Sequence, residues 1–140
     1  MFFKNKDKEK FKFESIEISI CTLLIHTAKT DENFDEQEKK LIEEYLLISG
    51  RDQQYISQLF QYCEIKEKNS VEILELTKEI KKLDYKIRLE IVEMMLKIIY
   101  SDRQLCHYED RLIRKVSGLI YIESKDLGEI KLKIKNDLHS

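Results

Sequence analysis

ESIEISICTLLIHTAKTDENFDEQE, residues 14–38, is the stretch on which the fold turns. Ile16, Ile20, Leu23, Leu24 and Thr27 follow one face of a 3.6-residue period, and Ile18, Cys21, Ile25 and Ala28 widen that face. A helix apolar over so wide an arc belongs at the centre of a bundle rather than on its surface. It runs into an acidic loop at Asp31. The next helix then opens on Asp35-Glu36-Gln37-Glu38. That order reads as a capping box, with Asp35 at the N-cap and a glutamate three residues on.

The pattern returns further along the chain as YKIRLEIVEMMLKIIYSDRQLCHYE, residues 85–109. Ile87, Ile91, Met94, Met95 and Ile98 form a second broad apolar face, widened by Leu89, Val92, Leu96 and Ile99. Sliding the chain by 71 positions carries Asp31 onto Asp102, Glu38 onto Glu109, and Leu41-Ile42 onto Leu112-Ile113. Few residues are identical, but the same acidic pair follows the same kind of helix twice. A repeated supersecondary unit, about 14–50 and 85–121, predicts a pseudo-twofold bundle in which each half covers the other's apolar face.

The rest of the chain supports an all-α fold of about seven helices in a single domain, residues 14–140. After the second helix, which carries Leu41, Ile42, Tyr45 and Ile48 inward and stops near Gly50, a third starts near Asp52 and buries Tyr55, Ile56, Leu59, Phe60 and Cys63. A fourth follows Ser70, with Ile73, Thr77, Ile80 and Leu83 inside. Beyond the second acidic loop, Leu112, Ile113, Val116, Leu119 and Ile120 mark one helix, and Ser124 caps a last one. With no Pro and only three Gly in 140 residues, a fold of many short strands and turns is excluded.

Charged residues make up 37% of the chain, yet the net charge is −2. Such a balance lacks the basic field that nucleic acid selects, so no nucleic-acid partner is expected. The three widely spaced cysteines, Cys21, Cys63 and Cys106, form no CxxC pair and point to reduced thiols in a cytoplasm. No uncharged run approaches the ~20 residues of a membrane span, and the N-terminal pattern lacks the cleavage site of a signal peptide. Residues 1–13, where lysines alternate with Phe2, Phe3, Phe11 and Phe13, read as a basic, aromatic leader: a solvated extension, or a weak docking arm for a partner or a membrane surface.

The two acidic loops resemble the helix–loop–helix junctions of the TerB-like tellurite-resistance family. That family carries a pattern close to A-x-x-D-G-x-(apolar)-x-x-x-E, often twice. The first copy here reads Ala28-Lys29-Thr30-Asp31-Glu32-Asn33-Phe34-Asp35-Glu36-Gln37-Glu38. The second reads Ile99-Tyr100-Ser101-Asp102-Arg103-Gln104-Leu105-Cys106-His107-Tyr108-Glu109. Both keep the Asp, the apolar residue three on and the Glu seven on. Glu32 and Arg103 stand where the family has glycine, and the second copy lacks the alanine. The resemblance implies a helical, non-enzymatic stress-response module related to the N-terminal domain of a membrane-bound co-chaperone. It also implies a protein partner, membrane-associated in that context, and a divalent cation held by the acidic loops.

Asp31, Asp35, Glu38, Asp102 and Glu109 are therefore the candidate metal ligands. Hard cations such as calcium or magnesium want several oxygens, and the first loop supplies most of them. Asp31-x-Asn33-x-Asp35 matches the opening of a calcium loop, but Glu36 and Ile42 occupy the positions of its glycine and its closing glutamate. In the second loop Cys106 and His107 would suit a softer ion such as zinc. A structural role stands beside this reading: Asp31 and Asp102 as loop-closing groups, Glu38 and Glu109 as first-turn carboxylates. Cys106-His107 is not expected to act as a nucleophile and base, because adjacent helical residues point about 100° apart. His26 reads as a satisfied histidine, and the Lys78, Lys81, Lys82 and Lys86 run as a solvated face. With no phosphate-binding loop and no zinc-finger spacing, no catalytic residue is assigned.

Overall fold

The computed structural model describes residues 13–30, 35–69, 72–101 and 107–139, with only the backbone for 107–109, 138 and 139. Seven helices and no strand occur among them: α1 Ser15–Lys29, α2 Glu36–Leu47, α3 Gln53–Lys68, α4 Ile73–Ile80, α5 Tyr85–Tyr100, α6 His107–Leu119 and α7 Ser124–His139. The all-α expectation holds. Offset by 71, the bounds of α1, α2 and α3 fall within a residue of those of α5, α6 and α7. The third pair, α3 and α7, lies outside the repeat units read from the sequence. α4 has no counterpart and follows the first three helices.

α1 and α5 are the two central helices. α1 packs against α2, α3, α4 and α5, and α5 packs against α1, α2, α6 and α7. Their composition requires this position. Cys21, Leu23, Leu24 and Ile25 are all fully buried, as are Ile91, Val92, Met95 and Ile98. Consecutive residues on a helix point in different directions, so both helices are covered around most of their circumference, α5 keeping a solvent-facing stripe at Lys86, Glu90 and Lys97. Fully burying each Leu, Ile or Met contributes roughly 1.5–3 kcal/mol. The outer helices each supply a narrower stripe: Ile42 and Leu46 on α2, Ile56, Leu59, Phe60 and Cys63 on α3, Leu76 and Ile80 on α4, Leu112, Ile113 and Val116 on α6 with Ile120 just beyond it, and Ile134 on α7.

The helix ends follow local chemistry. Asp35 and Asp52 cap α2 and α3, accepting from Glu38 N at 2.9 Å and from Tyr55 N at 2.8 Å, as the sequence predicts. Two inward assignments are corrected. Ile48 is 79% exposed, because α2 ends at Leu47 and Ile48 belongs to the turn; Leu46 fills the core instead. Ile87 is 37% exposed in the first turn of α5, ahead of its covered length. Ser124 is also not the cap of α7. It is the first helical residue, and the carbonyl of Glu123 accepts the first helical bond, from Leu127 N at 3.0 Å. Ser70 lies outside the described residues, and α4 starts after Glu72.

Two turns use a positive φ. Gly50 adopts φ 93° in the turn between α2 and α3. After α6 the same region is taken by Tyr121, φ 60°, in a double-bonded C-terminal motif: Ile122 N donates to Ser117 O at 2.8 Å and Tyr121 N to Gly118 O at 3.4 Å. Left-handed backbone costs a residue with a Cβ roughly 1–2 kcal/mol. Tyr121 is 66% exposed, so little packing offsets that cost. Tyr121→Gly should therefore leave the fold unchanged and raise unfolding stability in urea by up to about 1 kcal/mol, the released strain less the added chain entropy. Gly50→Ala should lower it by a similar amount.

Candidate functional site

The described part of the first junction is built by the capping box. Asp35, with extended backbone at φ −110° and ψ 177°, accepts from Glu38 N. In return Asp35 N donates to Glu38 Oε1 at 3.4 Å. Glu38 is 3% exposed. A carboxylate is seldom covered to this degree without partners, because leaving water costs it far more than a neutral side chain. Its position in the first turn of α2, where the helix dipole favours negative charge, offsets part of that cost. The structure thus brings two of the five candidate ligands together, at the α2 side of the loop. Asp31 and Asp102 lie outside the described residues, as does the side chain of Glu109 in α6. Among the described residues no cluster of three or more His, Cys, Asp or Glu side chains is placed to hold a metal ion.

At the α1 side of the same junction a second charged group is anchored. Glu67 on α3 accepts one contact from each of two α1 residues: His26 Nδ1 lies 3.2 Å from its Oε1, and Lys29 Nζ 3.0 Å from its Oε2. His26 is satisfied, as expected, but its partner stands 41 residues away. Nearby in the core, Cys21 and Cys63 are free, buried thiols. The Cys63 thiol donates to Ile18 O at 3.7 Å. Hydrogen bonding with Cys63, and then burial, hold the Cys21 thiol well above the ordinary thiol range, so it stays protonated and is a poor nucleophile. Cys106 lies outside the described residues.

Two further polar clusters, which the sequence reading missed, bind the halves of the chain internally. Tyr55 at the start of α3 donates to Glu17 Oε1 at the start of α1, 2.5 Å, and Arg51 reaches Glu17 Oε2 at 3.1 Å while its guanidinium lies over the Tyr55 ring. Tyr85 at the start of α5 donates to Asp126 Oδ2 at the start of α7, 2.5 Å, and Arg88 lies over the Tyr85 ring. Arg88 also donates to Leu83 O at 2.9 Å and Ile120 O at 2.7 Å, tying the turn before α5 to the end of α6. Burial pushes the Glu17 carboxyl up, but hydrogen bonds from Tyr55 and Glu14 N, together with Arg51, outweigh it and leave the group below its ordinary value. The Tyr55 hydroxyl is pushed up to about 12, by burial first and then by its bond to Glu17.

Among the described residues every regular element is a helix, and the α1–α2 and α5–α6 connections stand 71 residues apart. A family model for the tellurite resistance protein TerB matches residues 17–132. The chain belongs to the TerB family. The match takes in both junctions, all of α2 to α6, and most of α1 and the first half of α7. Comparisons with curated proteins and with solved structures gave no match.

Two measurements test the site's local chemistry. Asp35→Ala should cost the TerB bundle about 1 kcal/mol in chemical denaturation, the usual loss for a carboxylate cap. Tyr55→Phe should cost about 1–2 kcal/mol, for one hydrogen bond to a charged group. Because the folded value of Glu17 is depressed, its contribution is complete above the unfolded value near 4.5 and is lost as pH falls through the folded value. Tyr55→Phe removes one source of that depression. Acid unfolding followed by circular dichroism should then begin at higher pH than in the unaltered protein, and Glu17→Gln should flatten the acid limb.

Proposed function

We propose that the chain is a non-enzymatic TerB module of the tellurite-resistance and stress-response type, acting by docking to a protein partner in the cytoplasm. In this reading a divalent cation, calcium or magnesium ahead of zinc or manganese, binds at the acidic junctions. Asp31, Asp35 and Glu38 supply the first set of oxygens and Asp102 and Glu109 the second. The observation that supports it is the burial of Glu38: a carboxylate 3% exposed sits beside Asp35, and the sequence carries Asp31 and Asn33 just ahead of them. The ion would order the α1–α2 connection and so set how the two halves present their surfaces. Among the described residues no helix is long and apolar enough to cross a membrane.

A second reading rests on a different observation. Asp35 and Glu38 already bond each other's backbone in a closed capping box. In a metal-free interaction domain the acidic residues close loops and start helices, and the partner binds the helix surfaces.

The two are separated by melting curves in millimolar calcium, magnesium, manganese or zinc against chelator. An ion at a hundred times its dissociation constant adds about 2.7 kcal/mol to stability, which for a chain of this size raises Tm by several degrees. That rise should appear in the unaltered protein and vanish in Asp31→Asn. Superimposable curves with and without every ion would leave the metal-free reading.

A further inference from the structure

One turn of α1 is gathered around a single sulfur of α3. Cys63 is fully buried, and its Sγ lies 3.7 Å from the carbonyl oxygen of Ile18. Helical side chains lean toward the N-terminus, so Cys21 and Thr22 lie over the turn that carries this carbonyl. The Cys21 thiol hydrogen-bonds the Cys63 sulfur, and the two form one buried pair across the α1–α3 contact.

The Thr22 hydroxyl faces the same sulfur. It is fully buried and finds no oxygen or nitrogen partner among the described residues. Other buried threonines in these helices close onto a carbonyl one turn back: Thr27 onto Leu23 O at 2.8 Å, and Thr77 onto Ile73 O at 2.9 Å. For Thr22 that carbonyl belongs to Ile18, and Cys63 takes it instead. Two side-chain donors from α1 therefore converge on one sulfur. A neutral thiol has little use for both, whereas a thiolate accepts them.

Lys66, one turn on from Cys63, adds a positive charge. The bond from Cys21 outweighs burial and, with Thr22 and Lys66, holds the Cys63 thiol below the ordinary thiol range. The pair is thus unequal: Cys63 is the nucleophile, and Cys21 keeps its proton. Ile18 and Lys66, which flank Cys63 on the two helices, also line an open groove between α1, α3 and α4. A molecule as small as a peroxide needs local opening there, not unfolding of the bundle.

We infer that Cys63 and Cys21 are a site of reversible oxidation, joined as a disulfide by a hydroperoxide. The Cys63 thiolate attacks one peroxide oxygen. The O–O bond breaks, Cys63 becomes a sulfenic acid, and with hydrogen peroxide the departing hydroxide takes up the proton that Cys63 gave up and leaves as water. The Cys21 sulfur then attacks the Cys63 sulfur. The S–O bond breaks, and its hydroxide leaves with the Cys21 proton as a second water. The two thiols lose two electrons and two protons, and the peroxide is reduced. The new bond ties α1 to α3 and closes a loop that contains the α1–α2 junction and all of α2. It forms whether or not an ion binds at that junction.

Hydrogen peroxide added to the reduced full chain tests this, read by mass spectrometry of the intact protein and of its peptides under non-reducing conditions. The native chain should lose two hydrogens per molecule and yield peptides linked through Cys21 and Cys63, which dithiothreitol separates. Cys106→Ser, which removes the third thiol, should form the same link. In urea, with the helices undone, the unaltered chain should spread its links over pairs that include Cys106. Dimedone should label Cys63 as a sulfenic acid in Cys21→Ala and leave Cys21 unlabelled in Cys63→Ala. The unaltered chain and Cys106→Ser carry the test if either core variant fails to fold. A native chain with no Cys21–Cys63 link, or with the same spread of links as in urea, would overturn the inference. So would labelling of Cys21 in Cys63→Ala as strong as that of Cys63 in Cys21→Ala.

Discussion

The contact between α1 and α5 is the constraint that organises this TerB domain. Each helix is apolar around most of its circumference, and neither can be covered by one neighbour. Packed together, each still exposes a wide arc, and α2, α3 and α4 close one while α6 and α7 close the other. The outer helices can be strongly charged on their far sides because their stripes need only complete this central pair. The composition follows: an ordinary apolar share concentrated in two segments, with a high charged share elsewhere. A substitution that opens a cavity in α1 or α5 is felt by several helices at once, whereas one on an outer helix is felt mainly by the central helix it covers.

The sequence announced this centre because burial around most of a helix leaves a broad apolar face, and that face occurs twice. It also announced the caps, since Asp35 and Asp52 act on backbone three residues away and need no tertiary information. Where the reading failed, the deciding partner lay far along the chain or the helix stopped early. Ile48 has the right spacing to face inward but falls beyond the last turn of α2. Glu17 gives no local signal of its role, and only the arrival of Tyr55, 38 residues on, makes a carboxylate worthwhile there. Glu67 gave no signal of its role against His26 and Lys29. Of the candidate site, Asp35 and Glu38 were legible as both a cap and a possible ligand pair, and the capping geometry is now seen; Asp31, Asp102 and Glu109 carry the rest of the question.

The two tyrosine–carboxylate clasps have opposite polarity. In the first half the central helix offers the carboxylate, Glu17, and the outer helix the phenol, Tyr55; in the second half the central helix offers Tyr85 and the outer helix Asp126. A chain made of two like hairpins runs the hazard of exchanging them, with α1 collecting α7 and α5 collecting α3, within one molecule or between two. Exchange here would set Glu17 against Asp126, two negative charges, and leave two phenols facing each other without the carboxylate that each now bonds. At this position, then, each central helix is complementary to the outer helix that follows it in its own half of the chain and mismatched with the other.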